Sequence, residues 1–350
     1  MLNLNSHFSR CAALAAGAIL SLGVSFADTI YTVRQTFAVP DVDKNAKKVR
    51  GWFWMPEDRP YQKVLDFRIV DAPDKTRITR DAKYGRSWIY AEAPNEPGQP
   101  LKVVTEFKVL RKSVSGLADA SKATPLTVEG KRAFAEELRR DERHMEVKPN
   151  IQRLADELAG SETNPVLQAK KFFHFVIEKS EHYSKKGPKP KGLCLGDAQE
   201  CLKGVGDCCT DQHALFISLC RAREIPARLF YGSRLKPENE KKDHDPGYRC
   251  WPAFFAPGLG WVPLDISSAD AASVDTAENW FGGLDENRLE WAEGRDFDFE
   301  PRSAQKPDLV IRGWVEIDGE PHPDFSRTVN FTREVLPANV VALDLANRQR

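Results

Sequence analysis

Gly206-Asp207-Cys208-Cys209-Thr210-Asp211-Gln212-His213-Ala214-Leu215-Phe216, closed by Arg221-Ala222-Arg223-Glu224-Ile225-Pro226-Ala227-Arg228, decides the fold of this chain. It sets a cysteine at the mouth of an apolar helix. A helix N-terminus carries unsatisfied backbone N–H groups and a partial positive charge, so a thiol there ionises more readily and attacks a carbonyl carbon more readily. Residues 211 to 222 supply the helix, apolar on nearly all sides, and Ile225-Pro226 ends it.

This stretch resembles the core motif of the transglutaminase-like superfamily. That motif opens with Gly-x-Cys-x-Asp, continues through a buried helix ending in Arg-Ala, and closes with Gly-Ile-Pro-Ala-Arg. Cys209 is the cysteine in register, twelve residues before Arg221 and seventeen before Pro226. Counting from Gly206 selects Cys208 instead, but an extra residue is absorbed more easily in a Gly-rich loop than inside a helix. Asp211 then falls at Cys-x-Asp, and Glu224 stands where the family prefers glycine. Downstream the family places histidine and aspartate on successive strands, within His-x-Trp-x-Glu and Gly-Trp-Val-Pro-x-Asp. Here the chain reads Tyr248-Arg249-Cys250-Trp251-Pro252-Ala253, then Pro257-Gly258-Leu259-Gly260-Trp261-Val262-Pro263-Leu264-Asp265. Both tryptophans, the Pro-Gly turn and Asp265 fall into place, whereas Arg249 occupies the histidine position and Ala253 that of the glutamate.

The resemblance implies a Cys-His-Asp triad in which imidazole carries the thiol proton and the carboxylate orients it. Arginine performs neither proton transfer, because its pKa lies above about 12. It can hold Cys209 as a thiolate by charge, hydrogen-bond an oxyanion, or close with Asp265 into an inert ion pair. A lost general acid–base contribution is typically worth about 10² to 10⁴ in rate. His213, one helical turn beyond Cys209, shares its face and is the sequence-local substitute base; the alternative is a satisfied core histidine. His244 lies five residues before Arg249 and reaches the thiol only through a folded-back loop.

Arg10 precedes the apolar run Cys11 to Val24, and Ser25-Phe26-Ala27 offers the small residues of a signal-peptidase site, so residues 1–27 read as a signal peptide cleaved after Ala27. The mature protein is expected to be periplasmic or secreted, with no membrane anchor after cleavage. Six of the seven cysteines then remain: Cys194, Cys201, Cys208, Cys209, Cys220 and Cys250. An oxidising compartment permits a disulfide bracing the Gly-rich loop from Gly192 to Asp207, and relatives with a cysteine near Cys201 favour that residue as one partner. The glycines at 192, 196, 204 and 206 argue against a helix in this loop. A zinc set of Cys201, Cys208 and His213 lacks a Cys-x-x-Cys knuckle, so neither a metal nor any other cofactor is expected. Cys220 and Cys250 read as buried packing.

At 350 residues with 41% hydrophobic content, the chain can build a sizeable core and is expected to split into two domains in the usual size range. With 51 basic and 51 acidic residues it has no formal charge and no nucleic-acid footprint, and Lys185-Lys186-Gly187-Pro188-Lys189-Pro190-Lys191 reads as a solvated loop. Residues 28–115 alternate as strands, for example Val103, Thr105, Phe107 and Val109, and read as a β-sandwich-like domain. Helical patterns at 131–140 and 151–158 form a connector over 116–164, and 165–300 carries the core and an extension. In 301–350, Leu309–Ile317 and Thr328–Val335 read as a hairpin returning to the sheet, followed by a tail. The expected fold is α+β: a papain-like core, with the cysteine helix on an antiparallel sheet, behind an N-terminal sandwich. Two functions follow. One is thiol-dependent amide hydrolysis or acyl transfer on protein or peptide substrates through Cys209, with Asp265 supporting whichever group replaces histidine. The alternative is a catalytically degenerate relative that keeps the cleft to bind a peptide or envelope partner.

Overall fold

The computed structural model describes residues 28–337 except 41, 94–97, 115, 118, 183–184, 186–193 and 206–207. The leader at 1–27, the basic run from Lys186 to Lys191, Gly192, the Gly206-Asp207 pair and the tail from 338 lie outside the described residues. In chain order the elements are β1 (Thr29–Val39), β2 (Val49–Trp54), β3 (Gln62–Asp71), β4 (Lys75–Arg80), β5 (Ser87–Glu92), β6 (Leu101–Arg111), α1 (Val128–Ala133), α2 (Pro149–Ala159), α3 (Pro165–Lys179), α4 (Ala198–Lys203), α5 (Cys209–Ala222), β7 (Ala227–Arg234), β8 (Arg249–Ala256), β9 (Gly260–Pro263), α6 (Ile266–Ala271), β10 (Arg288–Glu293), β11 (Gly313–Ile317), β12 (Glu320–Pro321) and β13 (Ser326–Val335).

Strand periodicity builds a sandwich. Tyr31, Val33, Gln35, Phe37 and Val39 of β1 are buried while the residues between them are not. The sheet β13-β1-β6-β3 faces the sheet β12-β11-β2-β5-β4, and Phe37 stacks on Phe53 between them at 4.6 Å. Each such aromatic contributes about 1.5–3 kcal/mol by leaving water. The expected hairpin between Leu309–Ile317 and Thr328–Val335 does not form. β11 pairs with β2 and β13 with β1, so the two strands go to opposite sheets, β13 as an edge and β11 between β2 and β12. The Asp318-Gly319 turn joins β11 only to the two-residue β12.

The third sheet, β10-β7-β8-β9, is antiparallel and forms the core. All fourteen residues of α5 are buried, with α2, α3 and α4 on one side and β7 and β8 on the other. Trp54 of the sandwich stacks on Trp291 of β10 at 5.6 Å, which joins the two halves in one apolar cluster. The Gly-rich loop also departs from expectation, since α4 lies within it. Asp197 caps that helix by accepting the N–H groups of Gln199 and Glu200, and Gly204 ends it at φ +78°. The glycines punctuate a short helix rather than abolish it. Conversely, of the connector's first pattern, 131–140, only 131–133 is α-helical, as the end of Val128–Ala133.

At its C-terminal end α5 is clamped. Arg221 pairs with Glu142 at 2.6 Å, both nearly fully buried, and donates to the carbonyls of Ala227 and Arg139 at 3.0 and 3.2 Å. The clamp fixes the axial position of the helix, and with it the height at which Cys209 emerges.

Candidate active site

Cys209 is the first residue of α5, and the loop before it is organised by Asp211. One carboxylate oxygen accepts the N–H groups of Gly196 and Asp197, each at 2.9 Å. The other accepts the Cys208 N–H at 3.3 Å. Gly196 is required where it stands: at φ +73°, a Cβ would meet Thr210 Cγ2 at 2.6 Å. An acidic residue in the first turn also complements the helix dipole.

Cys250 lies against Cys209. By strand parity Cys250 and Phe254 of β8 turn toward α5, where Cys250 Sγ comes 3.1 Å from His213 Nδ1 and Phe254 meets Phe216. Both sulfurs share Thr210 Oγ1, at 3.9 Å for Cys209 and 3.6 Å for Cys250. The Cys250 side chain hydrogen-bonds Cys209, and this contact leads in holding the Cys209 thiol well below the ordinary thiol range; His182, His213 and Arg249 add to it against the opposing effect of burial. Burial, with the charge of Cys209 beside it, pushes Cys250 well above that range. Of the two thiols, Cys209 is the one whose ionisation the site favours.

Beyond Cys250 the array continues through His213 to Asp265. His213 is fully buried, and its Nε2 faces Asp265 Oδ1 at 3.5 Å, a charge-pairing distance rather than a tight hydrogen bond. Asp265 caps α6, accepting the Ser268 N–H at 2.9 Å and the hydroxyls of Ser267 and Ser268 at 2.7 and 3.0 Å. Burial disfavours its charge, but Arg288 at 2.6 Å, with His213 and the Ser268 N–H, outweighs that and holds the carboxyl below the usual carboxylate range.

The inert ion pair considered between Arg249 and Asp265 is thereby corrected. The cation on Asp265 is Arg288, from β10, whose guanidinium also lies over the rings of Trp251 and Trp280. Arg249 instead donates to the Tyr248 carbonyl at 3.4 Å and contributes positive charge to Cys209. His244 bridges to Val329 of β13 and its ring lies tilted against Phe331, so it belongs to the sandwich edge. Three participants escape sequence reasoning. Cys250 was read as packing. Arg288 is 23 positions from Asp265 with no motif joining them. His182 follows α3 and hydrogen-bonds Cys209, its own N–H fixed by Asp270 at 2.8 Å. The nearest sequence signal was the spacing of four between Cys209 and His213, which puts both on one helix face.

Cys208, Cys209, Cys220 and Cys250 are thiols. Cys194 meets Cys208: their sulfurs lie within 4.8 Å of each other and of an Asp211 carboxylate oxygen. Among the described residues this is the one group of three with metal-ligand spacing. The carboxylate is already committed to three backbone N–H groups, so a cation there would have to displace the helix cap. The nominal zinc set with His213 is not assembled, because both ring nitrogens face Cys250 and Asp265. Two surface cavities of about 200 and 190 Å³ lie elsewhere, one lined by Lys83, Glu142 and Arg228 and the other by Pro125, Lys131 and Arg223. No helix among the described residues is long and apolar enough to cross a membrane.

Residues 152–266 match the family model of the Transglutaminase-like superfamily, a span that runs from α2 through Cys209 to Asp265. The chain is 25% identical to an uncharacterized protein of Haemophilus influenzae, over 85% of this chain and 88% of that one. It shares its fold with a crystal structure from Cytophaga hutchinsonii that carries a provisional cysteine-protease assignment, at TM-score 0.57 and 16% identity, over 90% of this chain and 93% of that one. The periplasmic domain of TgpA from Pseudomonas aeruginosa superposes more loosely, at TM-score 0.33 and 16% identity, over 73% of this chain and 92% of that one. The chain thus contains a transglutaminase-like domain of α+β class, with its Cys209 helix on an antiparallel sheet behind a strand-rich N-terminal region.

Proposed function

We propose that this is an exported thiol enzyme of amide chemistry, in which Cys209 attacks the carbonyl carbon of a protein or peptide amide. The observation that carries the reading is the contiguous array at the mouth of α5: the Cys209 thiol, Cys250 against it, His213 Nδ1 at 3.1 Å from Cys250, and Asp265 at 3.5 Å from His213 Nε2. A thiol, an imidazole and a carboxylate are the groups that acyl transfer through a thioester needs. The thiolate adds to the carbonyl, the amine departs with a proton, and water or a second amine then takes the acyl group. The α5 N-terminus, with its free N–H groups, supports the oxyanion electrostatically. His182, at the sulfur, is a second imidazole for these proton transfers.

Hydrolysis and amine incorporation share the acyl-enzyme, so one experiment covers both. The mature protein is incubated with a peptide-amide library, with and without a labelled primary amine, beside Cys209→Ala. Release or incorporation by the parent, lost in the variant by more than about 10³-fold, is expected. Equal traces in both would sink the enzyme reading.

One observation favours the second reading, a degenerate peptide-binding member. Cys209 is only 5% exposed, and the β8 position that carries histidine in the resembling family is Arg249. That reading gains if the parent captures peptides without turnover and Cys209→Ala captures them equally well.

A further inference from the structure

Arg249 cannot carry a proton, yet the site holds a proton path. We propose that Cys250 is a proton-relay thiol that joins Cys209 to the His213–Asp265 pair and so supplies, from the neighbouring strand position, the transfer that Arg249 cannot make. The proposal rests on Cys209 being the nucleophile, and it goes beyond that reading by assigning how protons reach it.

Geometry carries the assignment. Cys250 is 1% exposed and its Sγ lies among four groups: the Cys209 side chain, the Tyr248 side chain, Thr210 Oγ1 at 3.6 Å and His213 Nδ1 at 3.1 Å. His213 is itself sealed, with its remaining nitrogen toward Asp265, so its proton exchanges with the outside through Cys250. The balance of the step is simple. Cys209 thiolate forms the C–S bond while the carbonyl becomes an oxyanion. As the C–N bond breaks, Cys250 S–H gives its proton to the amine nitrogen, and imidazolium Nδ1–H of His213 re-protonates the Cys250 sulfur. His213 is left neutral, with its Nε2–H toward the Asp265 carboxylate. When water attacks the thioester the sequence runs backwards, and the proton from water returns through Cys250 to His213. No oxidant, reductant or cofactor enters.

The groups facing Cys209 are known from every packed element: Cys208 and His213 on its own helix, Tyr248, Arg249 and Cys250 from the β8 strand and its lead-in, His182 after α3, and Arg288 from β10. The test reads the thiol directly and needs no substrate. In a Cys208→Ser background, so that Cys209 is the one sulfur in the 207–210 peptide released by cleavage before Asp207 and Asp211, the rate of iodoacetamide alkylation at Cys209 is followed from pH 4 to pH 10 by peptide mapping. Cys250→Ala and His213→Gln are each expected to raise the midpoint by at least about one pH unit, equivalent to about a tenfold lower reactivity at pH 6. Cys250→Ser, which keeps a hydroxyl donor, should recover part of the shift. A residue that merely packs would leave the midpoint in place in all three variants. The relay is overturned if Cys250→Ala or His213→Gln keeps the parental midpoint, or if only His182→Gln moves it. A variant that loses its circular-dichroism signature is set aside in favour of Cys250→Ser, the closest isostere. A shifted midpoint with no amidase activity refutes the proposed substrate class and leaves the relay intact; an active parent with an unmoved midpoint does the reverse.

Discussion

The two ends of α5 bury charged and polar groups at similar depth and use them in opposite ways. At the C-terminal end Arg221 has a carboxylate and two carbonyls, all at hydrogen-bonding distance, and the cluster exchanges no proton. At the N-terminal end Cys209, Cys250 and His213 lie against one another, and the closing contact to Asp265 is a loose 3.5 Å. One end fixes the helix because both guanidinium Nη atoms of Arg221 are tied to a carboxylate and two carbonyls. The other is built for chemistry because two thiols and an imidazole, groups that can exchange protons, face one another.

Breaking the satisfied end should produce the larger effect on stability. Arg221→Met removes the 2.6 Å partner of Glu142, 3% exposed, and leaves that carboxylate only the longer contacts to Arg139 at 3.7 Å and Lys83 at 3.9 Å. Removing one partner of such a pair typically costs about 3–5 kcal/mol. Urea denaturation should report a loss of that order, with the alkylation midpoint of Cys209 moved far less than by Cys250→Ala. If Arg221→Met shifted the midpoint as much as it shifted stability, the two ends would be one cooperative unit and the contrast would fail.

Restoring a proton carrier at the reactive end sharpens the comparison from the other side. Arg249 makes one weak contact, to the Tyr248 carbonyl at 3.4 Å, so Arg249→His should leave stability within about 1 kcal/mol. If the relay through Cys250 is the slower route, a histidine there should raise peptide-amide turnover by about tenfold or more, at the low end of general acid–base contributions. An unchanged rate in an active enzyme would mean that proton transfer does not limit turnover.

This contrast also separates what was legible in the sequence from what was not. Cys209 and its helix are local signals, a thiol at a helix boundary, and Asp265 follows from the resemblance of Gly260-Trp261-Val262-Pro263-Leu264-Asp265 to the family motif. The Cys250–His213 contact depends on the pleat of β8 and the rotation of α5 together, and neither is encoded within a single window. Period-2 reasoning placed Cys250 opposite Arg249 correctly, then took the buried side to mean packing. Arg288 and His182 come from β10 and from the segment after α3, so only the closed core brings them to the site. For the same reason the partner of β13 is β1, 288 positions from Ser326 at Ala38, and no hairpin rule finds a closure of that length.

The smallest expected effect lies at the seam between the sandwich and the core. There Glu290 of β10 is buried, its backbone N–H held by Gln62 of β3 at 2.9 Å and its carboxylate 2.8 Å from Arg59. Burial, then the charge of Glu293, push its pKa up from 4.5 to about 8; Arg86, Arg111 and Arg228 oppose the shift without cancelling it. The folded state therefore holds this proton more tightly than the unfolded chain. Below about pH 4.5 both states are protonated and Glu290 adds no pH dependence. Between there and about pH 8 only the unfolded chain loses the proton, so stability falls as pH rises, and above that it levels off. Glu290→Gln keeps the shape without the titration and should flatten this part of a stability profile measured by urea unfolding from pH 5 to pH 8. A parental slope that survives the substitution would assign it to other groups. The seam would then resemble the Arg221 end, a satisfied cluster that holds no mobile proton, and sharing of protons would be confined to the mouth of α5.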